Sequence, residues 1–335
     1  MAQHSFSFRN MKPQKVYPNG SRILLSSNEL PLLQRISLSI LKIAPRCARE
    51  PHWHPNADEM TYCVKGKALV TIFSPKNEHS TFTIDQGEMF YVPKGYFHSI
   101  LNLTNEEAEF IIVFSNNLPE DLNLSDCMNA MPVHVMSATF GGATSLFEKI
   151  HDKKNIFASG PVDEKPGLPS IPSHFKINVE KINPQIITPG GSAKIANKYS
   201  FPILEELALF SLRIKGRGVR EPHWHPNASE LNYVLTGRAK LTILSPGGEL
   251  DTFEIGPGEG SYIPMSYYHY IESVSDEELH MTVFFTNSAP TDIGISGALS
   301  SYSNEQLAAV FGVKPEDFKD LKRYQEDVLV VVGGG

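Results

Sequence analysis

The sequence repeats itself at one fixed offset, and no other feature limits its possible folds so tightly. A shift of 171 residues sets Arg49 on Arg220, His52 on His223, Gly66 on Gly237, Gly87 on Gly258, Pro93 on Pro264 and His98 on His269. The same shift pairs Phe114 with Phe285 and Phe140-Gly141 with Phe311-Gly312. Upstream it pairs Gly20-Ser21 with Gly191-Ser192 and Pro31 with Pro202. Roughly half of positions 49–114 are identical to their partners, with no insertion needed. Solenoid units repeat every 20–50 residues or so, so this is duplication of a whole domain. At 335 residues the chain has room for two cores of ordinary size.

Each copy reads as β structure. KALVTIFSP, STFTI, MFYVP, HSILNL and EFIIVF are short runs rich in β-branched and aromatic residues, separated by Gly, Pro and Asn. AKLTILSP, DTFEI, GSYIP, HYIES and HMTVFF follow in the same order in the second copy. Many short strands at such spacing predict an antiparallel barrel or sandwich. Each copy closes in a segment with helical character, MPVHVMSATFGG and SNEQLAAVFGVKPEDFKDL. In the latter, Ser303 with Gln306 forms a capping-box pattern, and Leu307, Val310 and Phe311 share a helical face suited to packing on the barrel or on a neighbouring subunit. The expected domains are 1–155 and 176–335, joined by a Pro/Gly/Ser-rich linker over 156–175. The final LVVVGGG carries no functional signal.

Composition narrows the partners. A hydrophobic share of 41% and a charged share of 20% fit a soluble globular chain and neither disorder nor a membrane protein. A net charge of −7 argues against nucleic acid, which demands a basic face. The opening MAQHSFSFRN has no apolar signal-peptide core, and no run is long enough to span a bilayer. Cys47, Cys63 and Cys127 make no disulfide framework, so the expected compartment is the cytoplasm.

The chemistry concentrates in EPHWHPNADE at 50–59, which returns as EPHWHPNASE at 221–230. In a strand, residues two apart point the same way, so His52 and His54 present their imidazoles on one face and Trp53 turns to the other. Glu59 follows where the next strand begins, and His98 arrives after the turn in GEMFYVPKGYFH. The second copy supplies His223, His225, Glu230 and His269 in the same frame. Asp58 competes with Glu59 as a ligand, but its counterpart is Ser229, which favours Glu59. Three imidazoles and a carboxylate suit Mn, Fe, Ni, Cu or Zn better than Ca or Mg. Four protein ligands on an octahedral ion leave two adjacent positions open, as a catalytic site requires. The other six histidines show no such pattern.

These motifs, HWHPNADEMTYCVKG followed by GEMFYVPKGYFH, resemble the paired motifs of the cupin superfamily, and both halves carry them. The one departure is Ser266, where the first copy has Gly95. Two HWH motifs, each with an arginine three residues before it, are similar to those of bacterial oxalate decarboxylases, as are PGGSAKIANKYSFP and PSHFK. The resemblance implies two tandem cupin barrels, double-stranded β-helix or jelly-roll in type, with short C-terminal helices. It implies Mn(II), or Fe or another divalent transition metal, one ion per domain, with dioxygen as co-substrate. Oxalate would be split to formate and CO2 by way of a transient oxalate radical, with Arg49 and Arg220 holding the small carboxylate substrate. A lid glutamate after the last strand of the first barrel would protonate the product carbon. Glu120 sits about there, in FSNNLPEDLN, and its counterpart is Thr291, which points to the N-terminal site as the working one. The family's Ser-Glu-Asn-Ser lid is missing, and Asp121 is an alternative acid that Asp292 matches in the other copy. A lid lacking its acid favours oxalate oxidase activity, or an iron or manganese dioxygenase on another small organic acid. A non-catalytic binding or storage protein with two barrels is a third reading. The family's habit of stacking trimers implies a homo-oligomer, trimer or hexamer.

Overall fold

A computed structural model describes residues 3–151, 157–162 and 169–333. The chain forms two compact units, each holding two antiparallel sheets. In the N-terminal barrel one seven-stranded sheet runs in the order Lys176–Ile177, Met89–Val92, Glu59–Lys65, Ala108–Phe114, Ser37–Ile43, Gly20–Leu25 and Lys15–Tyr17. The facing sheet carries Leu122–Asn123, Ala48–Trp53, Phe97–Asn102, Lys67–Ser74 and Glu78–Asp85, with Ala158–Ser159 also paired to Ala48–Trp53. The C-terminal barrel repeats this plan, and Val330–Val332 there takes the place of Ala158–Ser159 on the Gly218–Trp224 strand.

Alternation decides what lies between the sheets. Phe82, Ile84, Phe90, Phe110 and Ile112 fill the first core, and Leu241, Ile243, Ile263, Ile271 and Met281 the second. Each such side chain contributes roughly 1.5–3 kcal/mol by leaving water. The second Pro-Gly turn of the first copy uses Gly95 at φ +78°, a left-handed conformation that only glycine adopts at no cost. Ser266 occupies the same conformation at φ +67°.

The units do not divide at the boundaries expected from composition. One comprises Met11–Lys181 with Ile203–Glu206, the other Met1–Asn10, Ile182–Pro202 and Leu207–Gly335. The reason lies in two short edge strands. Lys176–Ile177 pairs with Met89–Val92 in the N-terminal barrel, and Ser5–Ser7 pairs with Glu259–Ile263 in the C-terminal one. Lys176 opposes Phe90 as Ser5 opposes Ser261, a register that the 171-residue shift conserves. Each repeat therefore lends its leading strand to the other repeat's sheet. Of the expected linker, 157–162 and 169–175 are described and 163–168 lie outside the described residues, as do 152–156. Far from spanning open solvent, Ala158 and Phe175 are buried.

The helical segments form as Leu124–Ala130, Val133–Thr139 and Thr144–Ile150, then Ile295–Ser300 and Asn304–Phe311. Ser303 and Gln306 make the reciprocal capping box. Leu307 is buried, but Val310 and Phe311 are 76% and 61% exposed, so that face does not pack on the barrel. Among the described residues no helix is long and apolar enough to cross a membrane.

Candidate metal centres

Both predicted quartets assemble. The ligating atoms of His52, His54, Glu59 and His98 lie within 4.8 Å of one another, as do those of His223, His225, Glu230 and His269, and all eight residues are buried. Strand pairing explains the meeting, because His98 lies opposite His52 and His269 opposite His223. Ring centroids of His52 and His98 are 4.2 Å apart, and those of His52 and His54 are 5.0 Å apart.

Arg49 should turn away from His52, since residues three apart in a regular strand face opposite sides. It does not, because the pairing register slips between them: His98 opposes His52 while Ile100 opposes Arg49. The extra residue is accommodated at Glu50-Pro51, where proline has no N–H to lose, and the bulge returns Arg49 to the interior. Arg220 and His223 are brought together in the same way around Glu221-Pro222. The buried Glu50 accepts bonds from the backbone N–H groups of Ser125 (3.0 Å) and Phe157 (2.8 Å). Glu221 does the same for Ser296 (3.0 Å) and Leu329 (2.7 Å). These carboxylates pin the returning strand and the first helix of each copy over the site. That gives a role to the terminal LVVV, in which the sequence showed none.

The donor set fits a divalent ion. His52, His54 and His98 place Nδ1 at 2.8, 2.9 and 3.0 Å from the backbone carbonyls of Glu50, Glu120 and Tyr96. A carbonyl oxygen only accepts, so each Nδ1 carries the proton and each Nε2 is left to ligate. The Nε2 atoms of His54 and His98 converge on Glu59 Oε2, at 2.9 and 3.2 Å. In the second quartet His269 Nε2 lies 3.3 Å from Glu230 Oε2 and is buried without a hydrogen bond. Burial, with the Arg49 charge beside it, holds His52 well below its ordinary pKa. Burial opposes the charge on Glu59, yet His98 and His54 overcome it and keep that carboxyl well below the usual range. Burial also opposes charge on His54, but its bonds to Asp121 and Glu59 raise it to about 9. A metal requires imidazoles stripped of protons and an ionised carboxylate, which His52 and Glu59 already supply, whereas His54 gives up its extra proton when the ion binds.

The lid differs from expectation. Glu120 is exposed; its carbonyl meets His54, and its N–H donates to Asn56 Oδ1 at 3.0 Å. Asn56 also donates to the Leu118 carbonyl, so the asparagine of HPNA ties the lid to the ligand strand. Thr291 and Asn227 repeat the arrangement. The lid carboxylate that enters the site is Asp121. It contacts Arg22 at 2.7 Å, Lys15 at 3.2 Å, Arg49 at 3.6 Å and His54 Nδ1 at 3.1 Å. Burial disfavours its charge, but His54, Arg22 and Arg49 hold it far below the ordinary carboxylate range. Arg49 lies under the Phe157 ring, 4.4 Å from its centroid, and burial lowers it to about 10 despite Asp121. Beside the first quartet there is a space of about 10 Å³; beside the second there is about 170 Å³, lined by Ile186, Ala193, Phe210, Leu212, Val283 and Arg220 among others.

Lys15 and Arg22 escaped the sequence reading. The signal was available in the 171-residue shift, which sets Lys15 on Ile186 and Arg22 on Ala193, charge against apolar side chain in an otherwise matched frame.

Comparison with known proteins agrees with this architecture. The sequence profile of the family described as Cupin matches residues 8–145 and again 177–319. The chain belongs to the cupin family. This cupin is 29% identical over 318 residues to oxalate decarboxylase OxdC of Bacillus subtilis, a match covering 90% of the chain and 80% of the relative. It is 26% identical to a probable oxalate decarboxylase of Arthroderma benhamiae, over 84% of the chain and 72% of the relative. The solved structure of the Bacillus subtilis oxalate decarboxylase at pH 4.6 superimposes on the cupin with a TM-score of 0.87 at 26% identity, covering 100% of this chain and 88% of that one. Another structure of that enzyme comes from work on its Mn(II) centres.

Proposed function

We propose that this cupin is a manganese oxalate decarboxylase that converts oxalate to formate and CO2 with dioxygen as co-substrate, acting at its N-terminal site. The observation that carries the reading is the pair of buried His3Glu quartets, each with a bulge-presented arginine, in a chain whose length is similar to oxalate decarboxylases nearly throughout. His52, His54, Glu59 and His98 would hold one Mn(II), and His223, His225, Glu230 and His269 a second. The ion supplies electrophilic and one-electron chemistry when bound. Arg49 would orient the substrate carboxylate through its planar fork, and Arg220 is the matching residue proposed for the second barrel. After CO2 leaves, the remaining carbon takes a proton, and Glu120 is the lid carboxyl proposed to provide it. Asp121 is unsuited, because a carboxylate stabilised by cations gives up no proton.

The exposure of Glu120 favours one competing outcome, in which no acid reaches the carbon and oxalate with dioxygen and two protons yields two CO2 and hydrogen peroxide. Incubating Mn-loaded protein with oxalate and oxygen near pH 4–5, where carboxylates titrate, tests both. Formate is the expected product; peroxide would make the protein an oxidase, and unchanged oxalate would remove the reading altogether. The exposed Val310, Phe311 and Phe140 support a homo-oligomer, which sedimentation would size.

A further inference from the structure

We propose that Lys15, Arg22 and Arg49 together form a binding site for a dicarboxylate dianion in the N-terminal barrel, and that Asp121 is a tethered anion occupying that site until substrate displaces it. The inference rests on the oxalate reading and adds to it the residues that set specificity for a doubly charged substrate. Three cations surround one carboxylate: Arg22, Lys15 and Arg49 lie 2.7, 3.2 and 3.6 Å from Asp121 Oδ2. Against Asp121 alone the three cations are left with two positive charges; Glu50 and Glu59 also act on Arg49, but the first is engaged by the N–H groups of Ser125 and Phe157 and the second by His54 and His98. Most of the cluster is removed from water, with side-chain exposures of 12% for Arg22, 2% for Arg49 and 7% for Asp121, while Lys15 at 25% lies at the rim. Excess charge of one sign is costly where the effective dielectric is low, and a second carboxylate relieves it. One atom is left short of a hydrogen bond as well. Arg49 Nη2 is buried and hydrogen-bonds to nothing, Asp121 Oδ2 standing off at 3.6 Å, although its guanidinium faces the site beside His52.

The second barrel is an internal control. It has the same quartet, the same arginine and the same lid aspartate, yet Ile186 and Ala193 replace the two extra cations. There, among the described residues, Asp292 pairs with Arg220 alone, and the charges of that pair cancel. Neither the metal quartet nor the lid anchor thus needs Lys15 and Arg22. What distinguishes the first barrel is a site whose charge matches a dianion, currently filled by a side chain on a loop that begins at the end of the Ala108–Phe114 strand. The remaining space of about 10 Å³ admits one water at most, so a substrate enters only as Asp121 leaves.

The experiment introduces the second barrel's residues into the first. Metal-loaded wild type, Arg22→Ala, Lys15→Ile and Asp121→Asn are titrated with oxalate and with acetate by calorimetry, and KM and kcat for oxalate are measured alongside. Removing either cation is expected to raise Kd and KM for oxalate about tenfold or more, with a smaller change for acetate. Asp121→Asn is expected to lower Kd for oxalate, because the internal competitor loses its charge. The opposite signs matter. If Lys15 and Arg22 only latched the lid, deleting the cations or the anion would loosen it alike, and all three variants would move affinity in one direction; that result would overturn the inference. So would oxalate constants unchanged in both cation variants. Wild type that neither binds nor consumes oxalate would sink this inference and the decarboxylase reading together, whereas turnover insensitive to Lys15 and Arg22 sinks this one alone. Arg22→Gln, with metal content measured on each protein, serves where alanine prevents folding.

Discussion

At the scale of single residues, two adjacent lid carboxylates have separate tasks. Glu120 makes no ion pair among the described residues, whereas Asp121 is held by three cations. Glu120→Gln should lower formate production by roughly 10²-fold or more, as loss of a general acid does, while leaving Mn content unchanged. Measured formate close to wild type would place the acid elsewhere. Asp121, like Glu59 and Glu230, ties stability to pH in acid. Its folded pKa lies below the ordinary value near 3.9, so its ion pairs stabilise the metal-free protein above about pH 4 and are lost as pH falls through the folded value. Asp121→Asn should therefore be less stable at pH 5 and show a flatter dependence between about pH 4 and 2. Urea unfolding across that range is the measurement, and superimposable curves would contradict it.

At the scale of elements, the strand carrying the HWH motif works because it is irregular. A regular strand would send Arg49 and His52 to opposite faces; the Glu50-Pro51 bulge unites them, and Glu50 then clamps the returning strand. The turn before the last ligand shows the cost of a departure from pattern. Ser266 sits at φ +67° where the first copy has Gly95, a conformation that costs a residue with Cβ about 1 kcal/mol. Ser266→Gly should thus stabilise the C-terminal barrel by about 1 kcal/mol, less the extra chain entropy of glycine when unfolded. A midpoint of denaturation lower than wild type would show that the Ser266 side chain compensates for its backbone, as its hydroxyl-free counterpart Gly95 cannot.

At the scale of the whole molecule, duplication came with an exchange of leading strands. Residues 3–10 belong to the C-terminal barrel, where Phe6 and Phe8 are buried and Ser5–Ser7 extends the sheet. Deleting residues 1–10 should destabilise that barrel by several kcal/mol, about 1.5–3 for each phenylalanine withdrawn from its core, and leave the other largely as it was. Each barrel holds one tryptophan, Trp53 or Trp224, so a Trp53→Phe background reports the C-terminal barrel alone and Trp224→Phe the N-terminal one. Equal losses in both reporters would refute the assignment. Much of this molecule was legible beforehand. The repeat announced two barrels, alternating residues announced strands, and the spacing of His52, His54, Glu59 and His98 announced a metal quartet, because ligands from neighbouring strands are brought together by local periodicity. Other features were not legible, since they depend on contacts between distant positions. Asp121 and Phe157 meet Lys15 and Arg22 only after 99 residues or more have closed a barrel around them. The sequence by itself determined the architecture and the two metal grips. Only tertiary structure decided which lid carboxylate enters the site, which repeat receives each leading strand, and why barrels with the same ligands differ in charge: a ladder's register is local, whereas the electrostatics of a closed cavity sum over every strand that lines it.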